Sequence, residues 1–588
     1  MKTIPYNIIP KQVNLGDTLG DIWASYNIDL TGSLGKIRTS RKLSTNYNVS
    51  GSSAVPVAFV RNLSGSASAD TYFGVCNGKI ISTPASNLNG WADDGISGSP
   101  TTAVSGVYSD AESFNNNLVV SLKTDVAQLA SGVWDDNWWT GTIGGSALTD
   151  SKPHPLKRIF NNLLLIGNGH LVASVDISNN YNNTKLTFPL EYEIQWIESS
   201  NSMAWIGCRH RWGGRAKVFS WNGSDESFTN DYEIGTDNVL SAVIYNENPY
   251  VVDGTGRLLN FNGGGFEEVA RFPIANEKTN RFQDGAGTIP MNINRNGMAV
   301  IDNKINILVS AGINGNNHEL LENMVSGIWE YTSETGLYHK YSITKGNETT
   351  IYDYGSPSIV QAGALFDAND STNATKTFLA GASLNQSGSS DGRTVICYLG
   401  RATNRTKMAY VITPKLYGSQ IEEMWKKIAI TYSKLATTGD FITVKYRTSV
   451  DYTDTFDQLG TWTSTTTFTT TATEFSGVAE GDEIEILAGG GSGLSASITD
   501  ITGTYTVTID TAVTGASGTF KFRTANWTKL DSITDLVTRY KEVSVGENAN
   551  WVQFKVILYG VGGATDVTEN SPEIEKLFII SEPQIKAI

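Results

Sequence analysis

The chain has 588 residues, too many for one hydrophobic core, and its 44 Lys and Arg against 59 Asp and Glu give a formal charge of −15. That balance excludes a broad basic face of the kind that grips duplex DNA, and 14 Trp, 24 Tyr and 21 Phe exclude wholesale disorder. With 58 Gly, many Thr and Asn, and only 18% charged residues, the chain is a poor helix former, so a large all-β protein remains.

The first residues, Met1 to Pro10, hold a Lys but no apolar run of signal-peptide length, and no stretch approaches the ~18 apolar residues of a membrane span. Cys76, Cys208 and Cys397 are odd in number and far apart, which argues against a disulfide framework and for synthesis in a cytoplasm.

From residue 73 a short apolar strand recurs, usually after a polar Asn/Ser cluster. Its copies begin at Phe73, Leu118, Leu164, Ala204, Tyr250, Ile307 and Phe378, with gaps of 45, 46, 40, 46, 57 and 71 residues. A second element keeps phase with it: Lys217-Val-Phe-Ser-Trp-Asn-Gly matches Arg257-Leu-Leu-Asn-Phe-Asn-Gly 40 residues on, and Ile328-Trp-Glu-Tyr is a weaker copy. Trp91-Ala-Asp-Asp and Trp134-Asp-Asp lie 43 apart. All seven Asn-Gly pairs fall between Asn77 and Gly315 and read as hairpin turns, because both residues tolerate positive φ. A hairpin-built unit of 40–50 residues that cannot bury both faces of its own sheet predicts a β-propeller, with seven blades favoured and six or eight open. A β-solenoid or a succession of sandwiches is the competing arrangement.

After about Arg405 the Asn-Gly turns stop. Ala409-Tyr-Val-Ile-Thr, Trp425-Lys-Lys-Ile-Ala-Ile-Thr-Tyr, Phe441-Ile-Thr-Val-Lys-Tyr, Trp551-Val-Gln-Phe-Lys-Val and Ile574-Glu-Lys-Leu-Phe-Ile-Ile read as strands of one antiparallel sandwich; the spacing of Ile421, Met424, Trp425 and Ile428 also admits a helical turn. Between them Gly481-Asp-Glu-Ile-Glu-Ile, Leu494-Ser-Ala-Ser-Ile and Tyr505-Thr-Val-Thr-Ile suit a small inserted β-barrel. The expected division is 1–404 for the propeller with an N-terminal arm, 405–473 and 526–588 for the sandwich, and 474–525 for the barrel. Gly489-Gly-Gly-Ser-Gly is a turn, since no Lys-Ser/Thr and no helix follow it.

Gly439-Asp-Phe-Ile-Thr-Val-Lys-Tyr-Arg-Thr-Ser, Trp527-Thr-Lys-Leu, Trp551-Val-Gln-Phe-Lys-Val and Ser571-Pro-Glu-Ile-Glu-Lys-Leu resemble the C-terminal sandwich of tailed-bacteriophage structural proteins. The insert Val478-Ala-Glu-Gly-Asp-Glu-Ile-Glu-Ile is similar to small barrels inserted in such tail proteins, and Gly16-Asp-Thr with Ile37-Arg-Thr-Ser-Arg-Lys-Leu resembles the start of propeller-bearing tail components, including the nozzle type. The resemblance implies a virion tail protein made in the host bacterial cytoplasm: a ring or fibre subunit that assembles with copies of itself and with adaptor, tube or fibre proteins. It also implies transient passage of phage DNA without specific binding. An acidic lumen would keep a sliding duplex from sticking, although a charge of −15 equally suits simple solubility.

For chemistry the sequence offers little, and no enzyme, cofactor or metal is expected. Asp93-Asp94 and Asp135-Asp136 stand beside Trp91 and Trp134, but neighbours on a strand point to opposite faces and do not make the acid/base couple of a glycoside hydrolase. His154, His170, His210, His318 and His339 include no two within four residues, and Asp367-Ala-Asn-Asp lacks the Gly and Glu of a calcium loop. Trp134, Trp138 and Trp139 with Asp135 and Asp136 form the one exposed-looking constellation, a candidate contact for a host glycan, as in a tail-tip adhesin, or for a neighbouring subunit.

Overall fold

The computed structural model describes residues 2–6, 22–30, 36–46, 55–62, 70–105, 108–272, 291–311, 326–343, 359–370, 375–399, 405–417, 423–448, 458–470, 483–488, 495–560 and 572–583, apart from short breaks inside these spans. Seven antiparallel sheets, six of four strands and the sixth of five, follow one another along residues 58–93, 111–135, 156–187, 192–233, 239–271, 291–341 and 359–398; in the sixth, Met298–Ile301 is counted as the first strand and Met291–Asn292 as an addition to it. The first strand of each sheet contacts the first strand of the next, and that of the seventh returns to that of the first, so these strands line a common axis. This is an all-β chain with propeller-type sheets. Every copy of the recurring apolar motif lies inside the second strand of its sheet, from Thr71–Cys76 through Asn248–Asp253 to Thr375–Gln386.

The pattern of buried positions gives the reason. Second strands are buried on both faces, as in Leu164, Leu165, Ile166 and Gly167, because each sheet packs between two others. A near-continuous apolar run therefore marks them. Outermost strands alternate or face solvent, as in Tyr181–Thr187 and Asn230–Glu233. Tight turns between first and second strands use positive φ at consecutive residues, as in Asn115 and Asn116 (51° and 61°) or Asp302 and Asn303 (50° and 60°).

The N-terminal arm departs from the expected division. Lys2–Tyr6, Ile28–Asp29 and Ile37–Thr39 pair within one six-stranded sheet of the C-terminal module, and Ala24–Tyr26 pairs with Met408–Ile412 in the other. Among the described strands of the arm, Ser44–Asn46 alone belongs to the propeller, where it pairs with Ile396–Tyr398 as the outer strand of the seventh sheet. The physical reason is hydrogen-bond satisfaction: the seventh sheet brings only three strands of its own, and the arm supplies the fourth. The two six-stranded sheets enclose one core that includes Trp425, Ile428 and Leu577 from one sheet with Val444, Phe554 and Val556 from the other.

The barrel boundary moves as well. Gln458–Trp462 and Thr467–Thr469, expected in the sandwich, join Glu483–Ala488, Ser495–Thr502, Thr506–Ile509 and Thr519–Thr524 in a closed six-stranded barrel. Its core is its own, with Trp462 stacked on Phe520 at 4.2 Å and Phe468 edge-on. Trp425, given a possible helical turn, lies in the strand Glu423–Tyr432.

The module of two six-stranded sheets sits on the outer edge of the sixth sheet. Gly336–Tyr341 is buried along its whole length, unlike the outer strands Tyr181–Thr187 and Asn230–Glu233, because Ala24–Asp29 covers it. His339 is buried at this seam: Asn27 N–H donates to its Nδ1 (3.0 Å), its Nε2 faces the Ser326 carbonyl (3.0 Å), and Tyr26 stacks on it at 5.2 Å. A neutral Nε2–H tautomer satisfies all of these contacts, and burial lowers the imidazole to about 4. Beside it Glu330 accepts from Tyr338 and Lys340, both at 2.5 Å, and Arg405 approaches Asp29 at 3.7 Å.

Candidate functional site

The starting ends of the innermost strands gather on one face of the propeller, and the segment Ile293–Gly297 crosses the axis there. Asn294 Oδ1 accepts the Asn296 amide (3.0 Å), and Gly297 N–H donates to the Asn294 carbonyl (2.8 Å), which folds the segment tightly. Asn296 Nδ2 then donates to Val57 O (3.0 Å) at the first sheet and to Asp110 Oδ1 (2.7 Å) at the second. Its own carbonyl receives Leu365 N–H (2.7 Å) from the seventh sheet. The Arg295 carbonyl receives Ser241 Oγ–H (2.7 Å) from the fifth, and Arg295 Nη1 reaches Tyr108 O at 3.5 Å. Burial pulls the Arg295 guanidinium below its ordinary range, with Asp110 opposing the shift. One short segment of the sixth sheet thus ties four others together on this face.

The carboxylates around it are all engaged. Asp110 also accepts Leu156 N–H (3.1 Å) and Ala111 N–H (2.8 Å). Glu112 accepts Ser113 N–H (2.9 Å), and burial raises it above its usual range. Glu198 pairs with Lys157 at 2.7 Å. None of these groups is held free beside a second one in the manner of a hydrolytic acid/base couple.

A second cluster lies at the rim of the same face, where the third and fourth sheets meet. Glu193, with a side chain 2% exposed, is met by Lys152 Nζ (2.7 Å), Arg209 Nη2 (2.7 Å) and Arg211 Nε (3.9 Å). Burial alone would raise this carboxyl; the Lys152 hydrogen bond and the Arg209 charge override it and hold it below its ordinary value. The turn that follows presents Trp212, 70% exposed.

The five residues singled out from the sequence fall elsewhere. Trp134 is 6% exposed, Trp138 2% and Trp139 0%, so these indoles are core and cannot stack on a sugar or anchor a neighbour. Trp138 and Trp139 open a π-helical turn, Trp138–Ile143, that folds back over the second sheet. Trp139 lies flat on Gly145 and donates from Nε1 to Ser146 O (2.7 Å). Trp134 Nε1–H donates to Asp94 Oδ2 (3.0 Å), which links Trp134-Asp-Asp to Trp91-Ala-Asp-Asp across adjacent sheets. Asp135 accepts Thr142 Oγ1–H (2.6 Å), and Asp136 is exposed. The dense Trp spacing reflects a bulky hydrophobic lining for one turn.

Among the described residues no group of three His, Cys, Asp or Glu could hold a metal, and no helix is long and apolar enough to cross a membrane. Cys76, Cys208 and Cys397 are buried thiols; burial pushes Cys76 up to about 12. Asp367 lies within the strand Ile359–Asp370, and His318 lies outside the described residues.

Two features escaped the sequence reading. Asn296-Gly297 is one of the seven Asn-Gly pairs that read as hairpin turns, yet it bridges the inner strands of other sheets, and Gly297 is not among the positive-φ glycines. The Glu193 cluster joins residues from 152 to 211 and has no local pattern; its sole sequence signal is the dense Arg209, Arg211, Arg215 run in an acidic chain.

Neither the protein families nor the curated proteins compared with the chain match its sequence. Several solved structures are similar in fold. They include the extracellular domain of a hybrid two-component system from B. thetaiotaomicron, at 12% identity over 79% of this chain with a TM-score of 0.35. This chain spans 46% of that domain's length. The Cps50 (Swd1) β-propeller domain of Myceliophteria thermophila aligns at 9% identity over 61% of this chain and 98% of its own, with a TM-score of 0.33. The Dos1 propeller aligns at 10% identity over 63% and 92%, with a TM-score of 0.31. The propeller assignment rests on this chain's own sheet order and inner-strand contacts.

Proposed function

We propose that the chain is a non-enzymatic structural subunit of a bacteriophage tail, a ring or nozzle component that assembles with copies of itself. The observation that carries the reading is the interlocking of the modules. The N-terminal arm contributes strands to both sheets of the sandwich and then closes the seventh sheet of the propeller. The propeller and sandwich therefore share covalent chain and a buried polar seam, through which a load on one passes to the other. That rigidity suits an element built into a particle. The axial carboxylates, each tied to an amide, a Lys or an Asn, favour a scaffold over a hydrolase. In this reading DNA would pass through the centre of a ring of subunits, since Arg295 and Asn296 bridge from the sixth sheet of the propeller to residues at its second.

The purified full-length protein should form closed rings of five, six or twelve copies by mass measurement and imaging. A strictly monomeric or trimeric species across micromolar concentrations, with intact particles lacking the protein, would remove this reading. Host recognition through a glycan is the second reading, and one observation favours it: the exposed Trp212 beside three cations.

A further inference from the structure

The turn between the second and third strands of the fourth sheet, residues 211–215, is built to hold an indole in solvent. His210 Nδ1 accepts two backbone amides, Trp212 N–H (3.3 Å) and Gly214 N–H (2.9 Å). Arg211 N–H donates to Glu191 O (2.8 Å), and its Nη1 reaches Leu190 O at 3.3 Å. Gly213 takes φ of 76°, and a Cβ on Gly214 would meet the His210 ring at 2.6 Å, so the turn is closed tightly against the imidazole. Tyr192 packs edge-on against that ring from below at 5.3 Å. The backbone is thus pinned on three sides while the Trp212 side chain remains 70% exposed. An apolar side chain of this size gains nothing from water, and fixing its platform removes the entropy cost of ordering it on contact.

The surroundings specify what it would contact. Lys152, Arg209 and Arg211 converge on a single buried carboxylate, Glu193, so two of the three positive charges have no counter-charge from it. The Arg209 and Arg211 side chains are 47% and 38% exposed, and their guanidinium groups offer forked donors to an anion. On this face Leu190 and Trp212 are the large exposed apolar side chains among the described residues. Two such residues fall far short of the roughly 800 Å² per partner that a stable protein interface buries. A nucleic-acid strand needs cations strung along a groove with several stacking platforms, whereas here the charge is focused at one point beside one indole.

We propose that Trp212, Arg209 and Arg211 form a binding site for a sugar ring carrying an anionic substituent, carboxylate or sulfate. The ring's C–H face lies on the indole and the anion meets the guanidinium pair. This site is independent of the assembly reading: a ring subunit that fails to bind sugar and a monomer that binds it are both distinguishable outcomes.

The test uses full-length protein and four probes: a galacturonate trimer, a heparin tetrasaccharide, neutral maltotetraose and a thymidine tetranucleotide. Binding is read by titration calorimetry with ligand-observed NMR. We expect one or both acidic oligosaccharides to bind, at least tenfold more tightly than maltotetraose, with affinity falling as salt rises. Binding to one acidic probe alone would support the proposal and identify the substituent. Trp212→Ala should weaken binding at least tenfold with an unchanged melting temperature, and Arg211→Gln should shrink the preference for acidic over neutral sugar. The proposal is overturned if neither acidic probe binds, if maltotetraose binds equally, if the tetranucleotide binds best, or if Trp212→Ala leaves binding intact. Self-association abolished by Trp212→Ala, without sugar binding, would assign the turn to a subunit contact and also overturn it.

Discussion

Substitution of Asn296 tests whether the segment Ile293–Gly297 locks the ring. Its side-chain amide donates to the Asp110 carboxylate at 2.7 Å and to the Val57 carbonyl at 3.0 Å. A hydrogen bond to a charged group contributes ~1.5–3 kcal/mol and one between neutral groups ~0.5–1.5 kcal/mol, so Asn296→Ala should cost about 3 kcal/mol. The loss is local first, because Leu365 N–H and Leu156 N–H depend on this segment and on Asp110. At ~1.4 kcal/mol per tenfold, the amides of Leu156 and Leu365 should exchange hydrogen about a hundredfold faster by mass spectrometry. Asn296→Asp should cost more at neutral pH: two carboxylates ~3 Å apart repel by about 5 kcal/mol at an effective dielectric constant of ~20. The introduced carboxyl is then raised in the folded state relative to the unfolded one. Its protonated form is stabilising below the unfolded value, and that stability is lost as pH rises through the folded value. The melting difference from wild type should therefore narrow from pH 7 to pH 4. Exchange at both amides changed less than threefold in Asn296→Ala, or an Asn296→Asp deficit that does not narrow in acid, would refute a load on this segment.

Three further outcomes are expected. Burial lowers His339 to about 4, while the unfolded chain protonates near 6.5; stability should fall between pH 6.5 and 4 by about 3 kcal/mol in all, and His339→Gln should flatten that part of the profile in chemical denaturation. Gly145→Ala places a Cβ 2.1 Å from Cε2 of the fully buried Trp139, so the indole must move; a loss of about 1–3 kcal/mol is expected, with a changed near-ultraviolet tryptophan signal in circular dichroism. Replacing residues 457–525 with a short Gly/Ser linker removes a barrel that has its own core, and Tyr446 pairs directly with Thr528, so the sandwich ends are already close. The remaining protein should melt within 3 °C of wild type by calorimetry, and aggregation on expression would show that the barrel supports the sandwich.

The degree to which the fold was legible varies with the range of the interaction. The recurring motif at Phe73, Leu118 and Leu164 marks second strands because burial on both faces leaves a continuous apolar run. Lys217–Trp221, Arg257–Phe261 and Gly327–Thr332 are all third strands, in the phase that the aromatic match predicted. Trp134, Trp138 and Trp139 were misread because density of Trp does not distinguish a surface platform from a turn folded over its own sheet; burial of 0–6% exposure does. Trp212, a single indole in Arg211-Trp-Gly-Gly-Arg, carried no such density. The barrel began earlier than expected because Gln458–Trp462 and Thr467–Thr469 alternate as sandwich strands would.

The strand-rich class, the repeat, its recurring apolar strand and the presence of a differently built C-terminal region are all legible in the order of residues. These are periodic properties, and periodicity records which side of a strand is buried. What buries it depends on the three-dimensional arrangement. Lys2–Tyr6 pairs with Glu573–Pro583, and Asn296 reaches Val57, Asp110 and Leu365, partners set by where chain ends and axial loops meet in space. A strand's pattern is the same whichever edge it completes, so an arm of 46 residues could equally have been propeller or sandwich. It became both because its strands complete both C-terminal sheets and the open edge of the seventh propeller sheet.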